Sequence, residues 1–121
     1  MKRLLHSFGY AGEGIGYALR TQANLRIDLT FTVLVIIAGL WLQLAPIEWA
    51  VLVVIISVVL SAELFNTALE ATLDRVSIEE HPLAKIGKDV AAGAVLICAI
   101  GAVLVGLLIF GPKLLALIGV R

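Results

Sequence analysis

At 121 residues the chain has room for one domain at most. Its apolar share of 61% and mean hydropathy of +1.08 exceed the roughly 45–50% apolar share of soluble domains and point to the bilayer. Nine Lys and Arg balance nine Asp and Glu, so no bulk charge draws the chain to nucleic acid, and the charges crowd into short stretches that leave residues 29–47, 49–62 and 90–112 without any.

In chain order, the first predicted element lies within residues 1–25. In "RLLHSFGYAGEGIGYALR" the side chains of Leu4, Phe8, Ile15 and Leu19 fall near one helical face, the pattern of an amphipathic helix lying in the membrane surface. Gly9, Gly12, Gly14 and Gly16 interrupt the apolar run, which argues against a cleaved leader. "GEGIG" does not read as a phosphate-cradling loop because no strand precedes it, and its glycines are assigned to close packing against a neighbouring helix. "TQANLRIDL", 21–29, connects this element to a first span over about 29–46. "LAPIEW" forms a tight hairpin in which Pro46 breaks the helix, with Trp41 and Trp49 at the depth of an aromatic belt.

A second span covers about 49–69, the charge-free window running on into "AELFNTAL". "SIEEHPLAKIGKD", 77–89, reads as a polar loop interrupted by Pro82. The third span, about 90–112, carries Gly93, Gly101 and Gly106 among many alanines, which suits tight bundling or oligomerisation. Cys98 has no partner for an intrachain disulfide and reads as a small core residue. The predicted fold is all-α and integral to the membrane, a single domain over 1–121. Lys2, Arg3, Arg20 and Arg26 precede the first span, Arg75, Lys85 and Lys88 lie between the second and third, and the first hairpin has no basic residue. The basic loops stay inside, so the N-terminus and the 74–89 loop are predicted to be cytoplasmic.

One stretch breaks the apolar rule. "SAELFNTALEATLDR", 61–75, places Glu63, Asn66, Glu70 and Asp74 on a helix that begins inside the membrane. At about 100° per residue Asn66, Glu70 and Asp74 lie roughly −60°, −20° and +20° from Glu63, with Thr67 at roughly +40°. An ionisable group at that depth costs about 2–3 kcal/mol or more and marks a functional site by default. The same stripe could instead be structural glue between helices. Carboxylates collect divalent metal and lysines collect phosphate, so three carboxylates beside a loop with two lysines describe a site for a metal–nucleotide complex at the membrane surface. A cation relay is disfavoured, because no ionisable group stands between Glu48 and Glu63.

"AELFNTALEATLDR" followed by "HPLAKIGKDVAAGAVLI" resembles the prokaryotic diacylglycerol kinase and undecaprenol kinase family, whose pattern is E-x-x-N-[ST]-[AS]-[IL]-E-x-x-x-D and then a spaced K-D. The resemblance extends to "FGYAGEGI" and "NLRI", covers nearly the whole chain, and leans to the undecaprenol kinase side. It implies a homotrimer, each protomer with three spans and one surface helix, that phosphorylates a lipid alcohol with ATP and Mg²⁺ in a bacterial inner membrane. Glu63 matches the catalytic base. Glu70 matches a metal ligand. Asn66, Asp74, Lys88 and Asp89 match positions lining the nucleotide site, and Arg3, Tyr10, Glu79 and His81 match nucleotide contacts. Gln22 stands where the family usually has a second metal-binding Glu, Asp28 where His or Glu is usual, and Gly12 where an aromatic is common. Glu63 would take the proton of the lipid hydroxyl, Glu70 with Gln22 or a water would hold Mg²⁺, and Lys88 would neutralise charge on the transferred group. The alternative is a small non-catalytic membrane assembly protein, which would tolerate amide replacements along the stripe.

Overall fold

The computed structural model describes residues 1–76 and 81–120. Four helices follow in order: α1, Lys2–Thr21; α2, Ala23–Trp41; α3, Pro46–Val76; α4, Pro82–Leu117. The described residues form no strand. Helices α2, α3 and α4 are long and apolar enough to cross a membrane. At 1.5 Å per residue, α3 with 31 residues and α4 with 36 run to about 46 and 54 Å, well beyond a hydrocarbon core of about 30 Å. The surplus is polar: it takes in Asp74 and Arg75 at the end of α3 and Lys85 and Lys88 at the start of α4.

Burial is inverted relative to a soluble protein. The buried side chains are few, and two of them, Glu63 and Thr67, are polar. Phe31, Phe65, Leu108 and Ile97 are among the many large apolar side chains that are exposed, as befits helices whose outer faces meet lipid. Three hydroxyls inside the spans bond back to their own helix: Thr32 Oγ1 donates to Asp28 O (2.8 Å), Ser57 Oγ to Val53 O (2.7 Å) and Thr67 Oγ1 to Glu63 O (2.9 Å).

The helices extend further than charge spacing suggests. The predicted connector 21–29 shrinks to Gln22 alone, extended at φ −112° and ψ 108°. Arg26 holds this elbow closed, its guanidinium donating to Leu19 O (2.7 Å) and Arg20 O (3.2 Å) at the C-terminus of α1. A cation on the last carbonyls of a helix is favourable both as a hydrogen bond and against the helix dipole. The predicted loop 77–89 also shortens. Pro82 opens α4 instead of interrupting it, because the first turn of a helix needs no amide donor and proline's φ suits it. His81 is the N-cap: its Nδ1 accepts from the Leu83 N–H at 3.1 Å. Lys85, Lys88 and Asp89 are therefore helical. Pro46 likewise begins α3, while Pro112 lies inside α4.

The α2–α3 hairpin turns through Gln43 at φ 55°, a left-handed conformation uncommon for a residue with a Cβ. Its far side is pinned by Glu48. One carboxylate oxygen accepts from Ala45 N–H at 3.0 Å, and the same oxygen lies 3.2 Å from Lys113 Nζ, so the start of α3 is tied to the end of α4. Above the turn, Trp49 lies against Gly39. A Cβ on Gly39 would stand 2.6 Å from Trp49 Cη2 and 2.9 Å from Leu44 Cδ1. Gly39→Ala is therefore expected to destabilise the protein by about 1–3 kcal/mol, seen as a lower thermal midpoint in detergent. Gly93→Ala, where a Cβ meets nothing within 4 Å, should leave the midpoint unchanged.

The α1 glycines behave differently from the expectation. A Cβ at Gly9, Gly12 or Gly14 meets nothing within 4 Å, so close approach within the chain does not require them. Between α1 and α3 a cavity of about 400 Å³ is lined by Ala11 and Ile15 on one side and by Leu64, Thr67, Ala68 and Ala71 on the other, with Ala18 buried at its edge.

Candidate functional site

The polar stripe of α3 is a gradient of burial. Glu63 is 3% exposed and Thr67 6%, Asn66 and Glu70 are half-buried, and Asp74 is exposed. Helical spacing produces this order, because each step of three or four residues climbs about 5 Å towards the end of α3 that leaves the apolar layer.

Glu63 is buried on α3. The carboxylates of Asp28 on α2 and Glu70 on α3 lie within electrostatic reach of it, and its own carboxylate accepts no hydrogen bond from the described residues. Asp28 and Glu70 thus both bear electrostatically on the buried Glu63. Asn66 donates from Nδ2 to Glu70 Oε1 at 3.4 Å, and its Oδ1 is buried with no hydrogen-bond partner. An unpartnered buried amide oxygen is unusual enough to need a reason, and an acceptor aimed into a polar stripe suits an incoming donor.

At the exposed end, Lys88 of α4 pairs with Asp74 of α3, bridging the two helices one turn from Glu70. Lys85 and Asp89 pair along α4 at 2.6 Å. Gly87 lets α4 approach here, since a Cβ would stand 3.1 Å from Leu73 Cδ1.

The residues singled out from the sequence divide into two groups. Glu63, Asn66, Glu70, Asp74 and Lys88 form one continuous run, with Asp89 one residue beyond. Gln22 is half-buried at the α1–α2 elbow, and no hydrogen bond joins it to Glu70. Among the described residues no three His, Cys, Asp or Glu side chains gather as a metal cluster. Arg3 and Tyr10 are exposed on α1 and hydrogen-bond to none of the stripe residues. His81 is occupied as the α4 cap, and Glu79 lies outside the described residues. Sequence reasoning missed two features: the Arg26 clamp, and the approach of Asp28 to Glu63. The signal for the clamp was an arginine just past a helix end; for the approach it was an acid at the mouth of a span.

Comparison with known proteins identifies the family. The family described as prokaryotic diacylglycerol kinase matches residues 9–110. The chain is 42% identical over 114 residues to the undecaprenol kinase of Bacillus subtilis, covering 94% of this chain and 93% of that protein. It is 50% identical over 115 residues to a diacylglycerol kinase of Synechocystis, covering 94% of this chain and 66% of that one. With the diacylglycerol kinase of Escherichia coli K12 it shares 31% identity over 102 residues, 84% of each chain. A matched stretch that runs from α1 into α4 and contains every member of the buried stripe leaves one assignment: the chain belongs to the prokaryotic diacylglycerol kinase family and is a lipid kinase built on three apolar helices long enough to cross a membrane.

Proposed function

We propose that the protein, acting as one domain over residues 1–121, transfers the terminal phosphoryl group of ATP, as its Mg²⁺ complex, to the hydroxyl of a lipid alcohol, undecaprenol or diacylglycerol. It works as a homotrimer in the bacterial inner membrane with its N-terminus and site on the cytoplasmic side. The observation that carries this reading is the burial gradient: a carboxylate in the apolar layer at Glu63, joined by one helix face to a lysine–aspartate pair in the aqueous layer. A lipid alcohol cannot leave the bilayer and a nucleotide cannot enter it, so a kinase for one from the other needs groups at both depths.

Glu63 accepts the hydroxyl proton as the oxygen attacks, a role that suits a carboxylate held away from water and from cations. Asn66 orients the reacting groups through its unpartnered Oδ1. Lys88 neutralises charge on the phosphoryl oxygens, and Asp74 holds that lysine in place. Arg3, Tyr10, Glu79, His81 and Asp89 contribute to nucleotide contact. Mg²⁺ keeps several waters and needs only one or two protein carboxylates beside the phosphates, so the half-buried Glu70, with Gln22 as a neutral second donor, fits it; the ion would supply charge neutralisation on the phosphates.

The competition assay that decides the substrate uses purified protein in lipid with labelled ATP and Mg²⁺, offering both alcohols together. Phosphorylation of neither would end the reading. Supporting undecaprenol is the near full-length match to the Bacillus subtilis undecaprenol kinase.

Gln22→Glu is the test of the second metal donor. A carboxylate there should lower the half-saturating Mg²⁺, by an amount limited by Arg20 and Arg26 nearby. An Mg²⁺ titration of phosphoryl transfer in both forms checks it. An unchanged titration and unchanged maximal rate would place residue 22 outside the metal's surroundings.

A further inference from the structure

Helix α1 is fixed at one end only. Every residue from 1 to 15 is exposed, Gly16 and Leu19 are half-buried, and Ala18 is buried. The cavity of about 400 Å³ between α1 and α3 means that α3 does not prop α1 along its length. Its direction is set at the elbow. Gln22 is the single non-helical residue between α1 and α2, and its N–H donates to Ala18 O at 2.8 Å. Backbone alone leaves such a joint free to bend, because one extended residue brings two soft dihedrals. The side chain that closes the joint is Arg26, whose Nη1 donates to both Leu19 O (2.7 Å) and Arg20 O (3.2 Å). Both acceptors belong to the last turn of α1, where carbonyls lack a donor within the helix. Arg26 pairs with no carboxylate among the described residues, so its cation is directed at the end of α1.

We propose that Arg26 is a positioning residue for the nucleotide half of the site: it fixes the angle of α1 and with it the place of Arg3 and Tyr10. The inference rests on the lipid kinase reading, in which those two side chains contact the nucleotide, and adds what aims them. The lever is long. Along α1, Arg3 lies about 24 Å and Tyr10 about 14 Å from Leu19. A change of about 10° at the elbow carries Arg3 through about 4 Å and Tyr10 through about 2 Å, against a hydrogen-bond length of about 3 Å. The groups at the other depth do not hang on this lever. Glu63, Asn66 and Glu70 are placed by α3 itself, and Lys88 by its pairing with Asp74. Releasing the clamp therefore acts on nucleotide binding and spares the lipid.

Two measurements on the full-length protein in lipid nanodiscs test this. The first reads geometry without phosphoryl transfer. Nitroxide labels at Ser7→Cys on α1 and Val76→Cys at the end of α3 are placed in a Cys98→Ser background, with labelled chains diluted in unlabelled ones. Pulsed electron resonance then gives the distance distribution between them. Arg26→Ala should broaden or shift it, and Arg26→Lys, which keeps a cationic donor, should largely restore it. An unchanged distribution in Arg26→Ala would show that the membrane surface holds α1 and would overturn the proposal. The second is steady-state kinetics. Arg26→Ala should raise KM for ATP about tenfold and leave KM for the lipid alcohol unchanged, with most of the loss recovered in Arg26→Lys. Arg20→Ala removes the same charge from the same corner but leaves its backbone carbonyl to Arg26, and should change neither constant. Equal rises in both constants, or an effect of Arg20→Ala as large as that of Arg26→Ala, would overturn the proposal. Should Arg26→Ala not fold, Arg26→Gln, which keeps an N–H donor without the cation, takes its place with the same direction expected. A protein that phosphorylates neither alcohol would sink the kinase reading, while the label distances still decide whether Arg26 aims α1.

Discussion

Glu63→Gln is expected to lower turnover by about 10²–10⁴-fold while the protein still inserts and folds. The amide matches the carboxylate in size and leaves the backbone bond from Thr67 Oγ1 to Glu63 O in place. It removes a buried acid from the electrostatic reach of Asp28 and Glu70, so stability should hold or improve. What it cannot do is accept a proton from a hydroxyl. The result to look for is a near-complete loss of phosphoryl transfer in membranes, with an unchanged elution volume and thermal midpoint in detergent. Retention of more than about a tenth of the wild-type rate would remove Glu63 from the role of base, and would favour the structural-stripe alternative in which amide replacements are tolerated.

Lys88→Ala is expected to lower the rate by about 10²–10³-fold, the loss typical when one preorganised donor to developing charge is removed. It should raise the apparent constant for ATP and spare that for the lipid. The pairing of Lys88 with Asp74 ties α4 to α3, so some loss of stability accompanies the change. Both side chains are more than a third exposed, at 39% and 66%, and pairs of that kind contribute about 1 kcal/mol or less. A kinetic effect of two or three decades therefore cannot come from loosening alone. Lys88→Arg separates the two: it keeps the bridge and the charge but not the compact ammonium, and should recover stability fully and rate only in part. Apparent constants for ATP and for lipid, measured side by side, check the assignment. A change confined to the lipid constant would sink the phosphate role.

Helix type and membrane placement were legible in the sequence because both follow from one-dimensional spacing. The charge-free windows located three crossing helices. They could not locate helix ends, since a helix leaving the bilayer changes its solvent and not its backbone. Thus "NLRID" is polar yet lies in α2, and "PLAKIGKD" is polar yet lies in α4. Pro82 and Pro46 marked boundaries correctly but were read as breakers where each opens a helix. The stripe from Glu63 to Asp74 was legible for the same reason as the spans: its members share one element at helical spacing. Arg26 and Asp28 were not, because their importance depends on how α1 folds back on α2 and how α2 meets α3. Those are three-dimensional facts that periodicity does not carry. The glycines of α1 were read as packing residues, and within the chain no Cβ at Gly9, Gly12 or Gly14 would meet a neighbour.

The shared oxygen of Glu48 has a consequence for the order in which the protein is made. As α2 and α3 emerge from the ribosome, Glu48, at the tip of their hairpin, has only the Ala45 amide to bond. Its cation is carried by Lys113, near the end of α4, the last helix to be made. Until then the distal end of the bundle is held by the α2–α3 turn and by Trp49 on Gly39. Closure of that end therefore reports arrival of the last helix, and a nascent chain stalled before Lys113 is expected to present an open, protease-sensitive α2–α3 hairpin.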